Sequence, residues 1–98
     1  MEKEDTVKQS KNEFLELFFT TMIAYLIALH YLSLKQFEEA FVMQTHAMSE
    51  TQNALDCFVR CSLAKIAQCA EFECVLRGKV LPDLKRISVV AHAKLLNS

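Results

Sequence analysis

The chain has 98 residues and a net charge of -1, with 52% apolar residues but a single Gly and a single Pro. An apolar fraction this high excludes a disordered chain, and so few turn formers exclude an all-β fold of many short strands. One small domain of long helices is left, in keeping with abundant Ala, Leu, Glu, Lys and Gln.

Residues 1–12, MEKEDTVKQSKN, form a polar N-terminal lead-in, and residues 13–98 read as a single helical domain. Ser10 and Glu13 stand three apart just before the apolar run, which is capping-box spacing. The first helix (A) is therefore predicted from about Lys11 to Leu32. It is apolar on nearly all sides, through Phe14, Leu15, Leu17, Phe18, Phe19, Met22, Ile23, Leu26, Ile27 and Leu29. Such a helix must be covered on more than one face. The eighteen residues Leu17–Leu34 carry no formal charge, so a membrane span over 13–34 is the alternative. Thr20, Thr21, His30 and Ser33 inside the run favour a buried central helix, sandwiched by the others.

A turn is predicted over Ser33–Gln36, then helix B over Gln36–Met48, with Phe37, Ala40, Phe41, Met43, Gln44 and Ala47 inward. Glu38 and Glu39 suit its first turn, where the helix dipole favours negative charge. Two helices joined this tightly pack antiparallel as a hairpin. Ser49 and Gln52 repeat the capping-box spacing, predicting helix C over Glu50–Arg77, closed by Gly78 as a left-handed cap. A single helix running through B and C is the alternative at this boundary. Asp56 and Arg60, one turn apart, are expected to pair on the exposed side. Pro82 suits the first turn of helix D, Pro82–Leu96, with Leu84, Ile87, Val90 or Ala91, and Leu95 at helical spacing. The β-branched run at 87–90 leaves a strand as the alternative there. The fold class expected is all-α, a four-helix bundle or a set of helical hairpins.

No reaction chemistry stands out. Cys57, Cys61, Cys69 and Cys74 are spaced by three, seven and four residues, unlike the Cys-x2-Cys knuckle that converges two thiolates on one ion. They read as reduced core cysteines of an intracellular, most simply cytoplasmic, chain, since the polar start offers no secretory h-region. A cysteine-based metal or redox sensor is the alternative. His30, His46 and His92 are isolated, the acid pairs Glu38/Glu39 and Glu71/Glu73 point in different directions on helices, and a lone Gly78 builds no phosphate loop. No catalytic residue, metal ligand or cofactor is assigned, and an enzyme is not expected.

Charge is uneven. Residues 1–76 hold six Lys/Arg against eleven Asp/Glu, whereas 77–98 hold five Lys/Arg against Asp83 alone. This basic end either lies on the acidic body or meets an RNA, an acidic partner or a lipid headgroup.

The first hairpin resembles a tetratricopeptide unit. Ala28 stands as the small crossing residue, Tyr31 as the aromatic three further on, and Ala40 and Ala47 as the small residues returning on the second helix. Gln44 replaces a usual aromatic, and no second repeat follows, so the likeness covers one hairpin. The order AYLIALHYLSLKQFEEAFVM, then LPDLKRISVVAHAKLL, also resembles the C-terminal part of the family of the 68-kilodalton protein of the eukaryotic signal recognition particle. That likeness touches Ala24–Met43 and Leu81–Leu96, and the cysteine-rich segment between them departs from it. It implies a scaffold that pairs with a second helical protein and an RNA without catalysis.

The function expected is thus a non-enzymatic protein-protein interaction module, a scaffold subunit binding another helical protein or a second copy. Tyr25, Tyr31, Phe37 and Phe41 are the expected packing anchors. Lys85, Arg86 and Lys94 are the expected electrostatic contacts.

Overall fold

A computed structural model describes residues 2–97, with side chains from Thr6 onward. The chain forms three helical rods. The first is α1, Glu2–Ser33, and the second is α2, Phe37–Arg60. The third combines α3 (Ala67–Val75), a π-helical turn (Leu76–Val80) and α4 (Leu81–Leu96) without a break in helical backbone. A short 3-10 turn over Leu63–Lys65 connects the second rod to the third. No strand occurs among the described residues, and the all-α expectation holds. The bundle is elongated, 58 × 18 × 17 Å.

The α1–α2 hairpin follows from where small residues fall. On α1 the buried positions are Phe14, Phe18, Thr21, Ala24, Tyr25 and Ala28. On α2 they are Ala40, Gln44, Ala47, Thr51, Ala54, Cys57 and Phe58. Alternating steps of four and three keep one narrow seam facing the partner helix. Alanines along that seam let the backbones approach, and Phe14 and Phe58 fill the wider end with ring centroids 5.6 Å apart. Both buried threonines return their hydroxyls to their own helix, Thr21 to the Leu17 carbonyl and Thr51 to the Ala47 carbonyl. No described side-chain polar atom is buried without a partner. Antiparallel packing also brings Arg60 at the end of α2 to 3.8 Å from Glu13, near the start of α1. The expected Asp56–Arg60 pair forms as well, at 3.5 Å.

The third rod returns parallel to α1. Phe72 stacks on Phe18 with centroids 4.3 Å apart and planes 4° from parallel. Further along, Tyr25 meets Asp83, and Phe41 of α2 lies 6.0 Å from His92. The inward residues are Leu76, Val80, Leu84, Ile87 and Ala91. Two successive steps of four would drift off the inner face of a regular α-helix, and the wider π turn restores their alignment.

Several sequence expectations change. Helix A begins at Glu2, so residues 2–12 continue α1 and Ser10 and Glu13 lie inside it, not at a cap. Helices B and C are fused as far as Arg60, which places Ser49 and Gln52 mid-helix. The real break is at Cys61–Ile66, where Ser62 takes a left-handed backbone with φ 53°. Gly78 caps nothing: it sits within the π turn, with φ negative. Helix D matches to within one residue, and Ile87–Val90 is helical. Four predicted helices therefore become three rods. The first packs against both of the others but is not sandwiched, because its outer face stays open.

Candidate interaction surface

The α1 face opposite the seam is apolar and open to water. Phe19 is 54% exposed, Ile23 60%, Leu26 57%, Ile27 37% and Leu34 52%. The steps from 19 to 23, 26, 27, 30 and 34 follow one helix face, with His30 exposed within it. Helical geometry continues to Leu34, whose amide bonds the His30 carbonyl at 3.1 Å. Glu16 precedes this stripe on the same face, whereas Lys35 lies beyond it in the turn that leads to α2. Both are exposed, and neither forms an ion pair among the described residues.

The turn after α1 is built without glycine. The Gln36 amide bonds the Tyr31 carbonyl and the Lys35 amide bonds the Leu32 carbonyl, both at 3.0 Å. That pair is a Schellman closure, and it puts Lys35 in the left-handed region at φ 59°. Beside it lies an open groove of about 320 Å³ lined by Tyr31, Glu38, Glu39, Val42 and Met43.

The expected anchors sit elsewhere. Tyr25 faces inward at 5% exposure, and its hydroxyl donates to Asp83 Oδ2 at 2.5 Å. Arg86 Nε donates to the other oxygen at 2.6 Å. Tyr25 is therefore corrected from a partner anchor to an internal contact. Burial, then the hydrogen bond to Asp83, pushes its pKa up to about 12. Arg86 and, secondarily, Tyr25 hold the Asp83 carboxyl below its ordinary value. Tyr31, Phe37 and Phe41 are half-buried. Lys85, Arg86 and Lys94 are exposed, with Arg86 already engaged by Asp83. Ion pairs of the basic end are local, Arg86 with Asp83 and Arg77 with Glu73.

Sequence reasoning missed the stripe because α1 is apolar all round. The usable signal was residue size: Thr21, Ala24 and Ala28 mark the face that approaches α2, which leaves the bulky Phe19, Ile23, Leu26 and Ile27 on the other.

The cysteines are all free, with Cys57 and Cys69 buried, Cys61 half-buried and Cys74 exposed. Burial, followed by the neighbouring Cys61 and Glu13, raises the Cys57 thiol to about 11, so it is a poor nucleophile at neutral pH. No three His, Cys, Asp or Glu side chains among the described residues are grouped to hold a metal ion. The chain matches no family model, no curated protein and no solved structure.

Proposed function

We propose that this chain is a non-enzymatic docking module, a scaffold subunit whose contact surface is the outer face of α1. The observation that carries this reading is the apolar line Phe19–Ile23–Leu26–Ile27–Leu34, interrupted by His30, on a helix whose other face is already packed. Scattered exposed apolar residues are ordinary, but a line at helical spacing over about four turns is what a partner helix reads. Its test is an apolar dye together with an Ile23→Glu/Leu26→Glu variant. The parent chain should either bind dye or bury the stripe by associating, and the variant should do neither while keeping its helicity. A parent that stays a monomer without binding dye contradicts the proposal.

A second reading is membrane association, favoured by the length and apolarity of the α1 segment Thr6–Ser33, sufficient for a span. Against it, α1 shares its length with α2, whose outer positions carry Glu38, Glu39, Asp56 and Arg60. Alkaline extraction separates the two readings, since a spanning chain stays with the lipid and a docking module is released.

A further inference from the structure

The end of α2 far from the hairpin turn carries two thiols on one helical turn. Cys57 and Cys61 stand four apart, and the Cys61 amide still bonds the Cys57 carbonyl at 3.0 Å, so the turn that carries them is intact. Both are free, Cys57 buried and Cys61 half-buried. After burial itself, Cys61 is the strongest influence on the Cys57 thiol. We propose that this pair is a binding site for a soft monovalent metal ion, Cu(I), held between the two sulfurs.

Geometry selects the ion. Residues four apart on a helix hold their Cβ atoms roughly 5–6 Å apart. A disulfide needs them at about 3.5–4.5 Å, which an intact turn does not reach. An ion bound in line by two sulfurs, at roughly 2.3 Å each, sets those sulfurs about 4.6 Å apart, a span that side chains on this turn cover without moving the backbone. Zinc takes four ligands in a tetrahedron, and no group of three Cys, His, Asp or Glu side chains among the described residues could hold it. Cu(I) is soft, prefers thiolates and is satisfied by two of them. Cys69 and Cys74 make no second pair, because residues five apart point about 140° from one another round a helix.

The surroundings suit the product. Binding replaces two S–H bonds by two Cu–S bonds, releases two protons to water and leaves the oxidation state of the copper and both sulfurs unchanged. The bis-thiolate complex carries one negative charge. The Arg60 guanidinium stands beside Cys61, whose thiolate is the largest influence raising its pKa. Its carboxylate partners Glu13 and Asp56 hold it loosely in water, at 3.8 and 3.5 Å, which leaves it able to turn towards the complex. Cys57 belongs to the same buried cluster as Phe14, Phe58 and Leu63, and Cys61 packs against it. That lining shields a bound Cu(I) from water and oxygen, while the half-buried Cys61 leaves a way in. The Cys57 thiol gives up only one long contact, 3.8 Å to the Ser10 carbonyl.

The experiment titrates the reduced full chain, in the absence of oxygen, with Cu(I) supplied as its bicinchoninate complex, and reads the colour lost as copper moves to the protein. The expected result is one Cu(I) per chain with helicity unchanged. Cys57→Ser and Cys61→Ser should each lower the affinity roughly a hundredfold, whereas Cys74→Ser should leave it within about twofold. Cys57→Ser places a hydroxyl in the core, so Cys61→Ser, at the half-buried position and with circular dichroism to verify its fold, is the deciding variant. A parent chain that takes no copper from bicinchoninate overturns the proposal. So does binding that survives Cys61→Ser, or that falls as far with Cys74→Ser, since the ion would then sit on other thiols. Zinc held as tightly as copper would overturn the two-sulfur site.

Discussion

Tyr25 and Asp83 join α1 to α4 through one hydrogen bond with opposite consequences at the two ends of the pH scale. The Tyr25 hydroxyl titrates at about 12, above its ordinary 10.0, so the folded chain holds that proton more tightly than the unfolded chain. Its stabilising contribution is complete below pH 10 and is lost as pH rises through 12. Asp83 is shifted down from 3.8, chiefly by Arg86, so its contribution is present above that value and lost as pH falls through the lower folded one. Tyr25→Phe keeps the ring in place and leaves Asp83 still served by Arg86. It should cost about 1 kcal/mol near neutrality and flatten the alkaline decline between pH 10 and 12. Urea unfolding of both proteins at neutral pH and at about pH 11 checks this. Equal declines would place the alkaline sensitivity elsewhere in the chain.

At the scale of elements, two backbone sites invert the usual roles of glycine. Gly78 occupies a helical position where an added Cβ meets nothing within 4 Å, whereas Lys35 occupies a left-handed one. Gly78→Ala should therefore stabilise the chain by about 0.5–1 kcal/mol, and Lys35→Gly by a similar amount. Thermal unfolding measures both, and a destabilising Gly78→Ala would mean that the glycine caps a helix after all. The sequence places Gly78 where a cap is wanted, which is why it misled. What marks the π turn is a double step of four through Leu76, Val80 and Leu84, which is visible only once the inward face is known. Helix D was legible from Pro82 and its apolar spacing, and the hairpin from the charge-free run followed by Glu38 and Glu39. The break at Cys61–Ile66 was not legible, because Ser62 is no better suited to a left-handed backbone than its neighbours. For the same reason Ser49 and Gln52 suggested a start where tertiary packing of Ala47, Thr51 and Ala54 carries one helix straight through. At the candidate surface the ambiguity was rotational. An all-apolar helix declares that two faces will be covered without saying which side the chain itself covers.

At the scale of the whole molecule the stripe follows from shape. Three rods packed into a body 58 × 18 × 17 Å form one layer around a single seam, which leaves the outer face of α1 with nothing over it. The line Phe19, Ile23, Leu26, Ile27 and Leu34 therefore stays open to water while the seam behind it, through Phe14, Phe18, Thr21, Ala24, Tyr25 and Ala28, is closed. Substitutions on the two faces of the same helix should have separate effects. Ile23→Glu/Leu26→Glu should leave the unfolding free energy within about 1 kcal/mol of the parent, because those side chains are already solvated. Ala28→Glu, which puts a charge into the closed seam, should cost more than about 3 kcal/mol. Thermal unfolding followed by helicity measures both. A stripe variant that unfolds as readily as the seam variant would mean that the outer face of α1 is covered within the folded chain itself, and the docking surface would have to be sought on another rod.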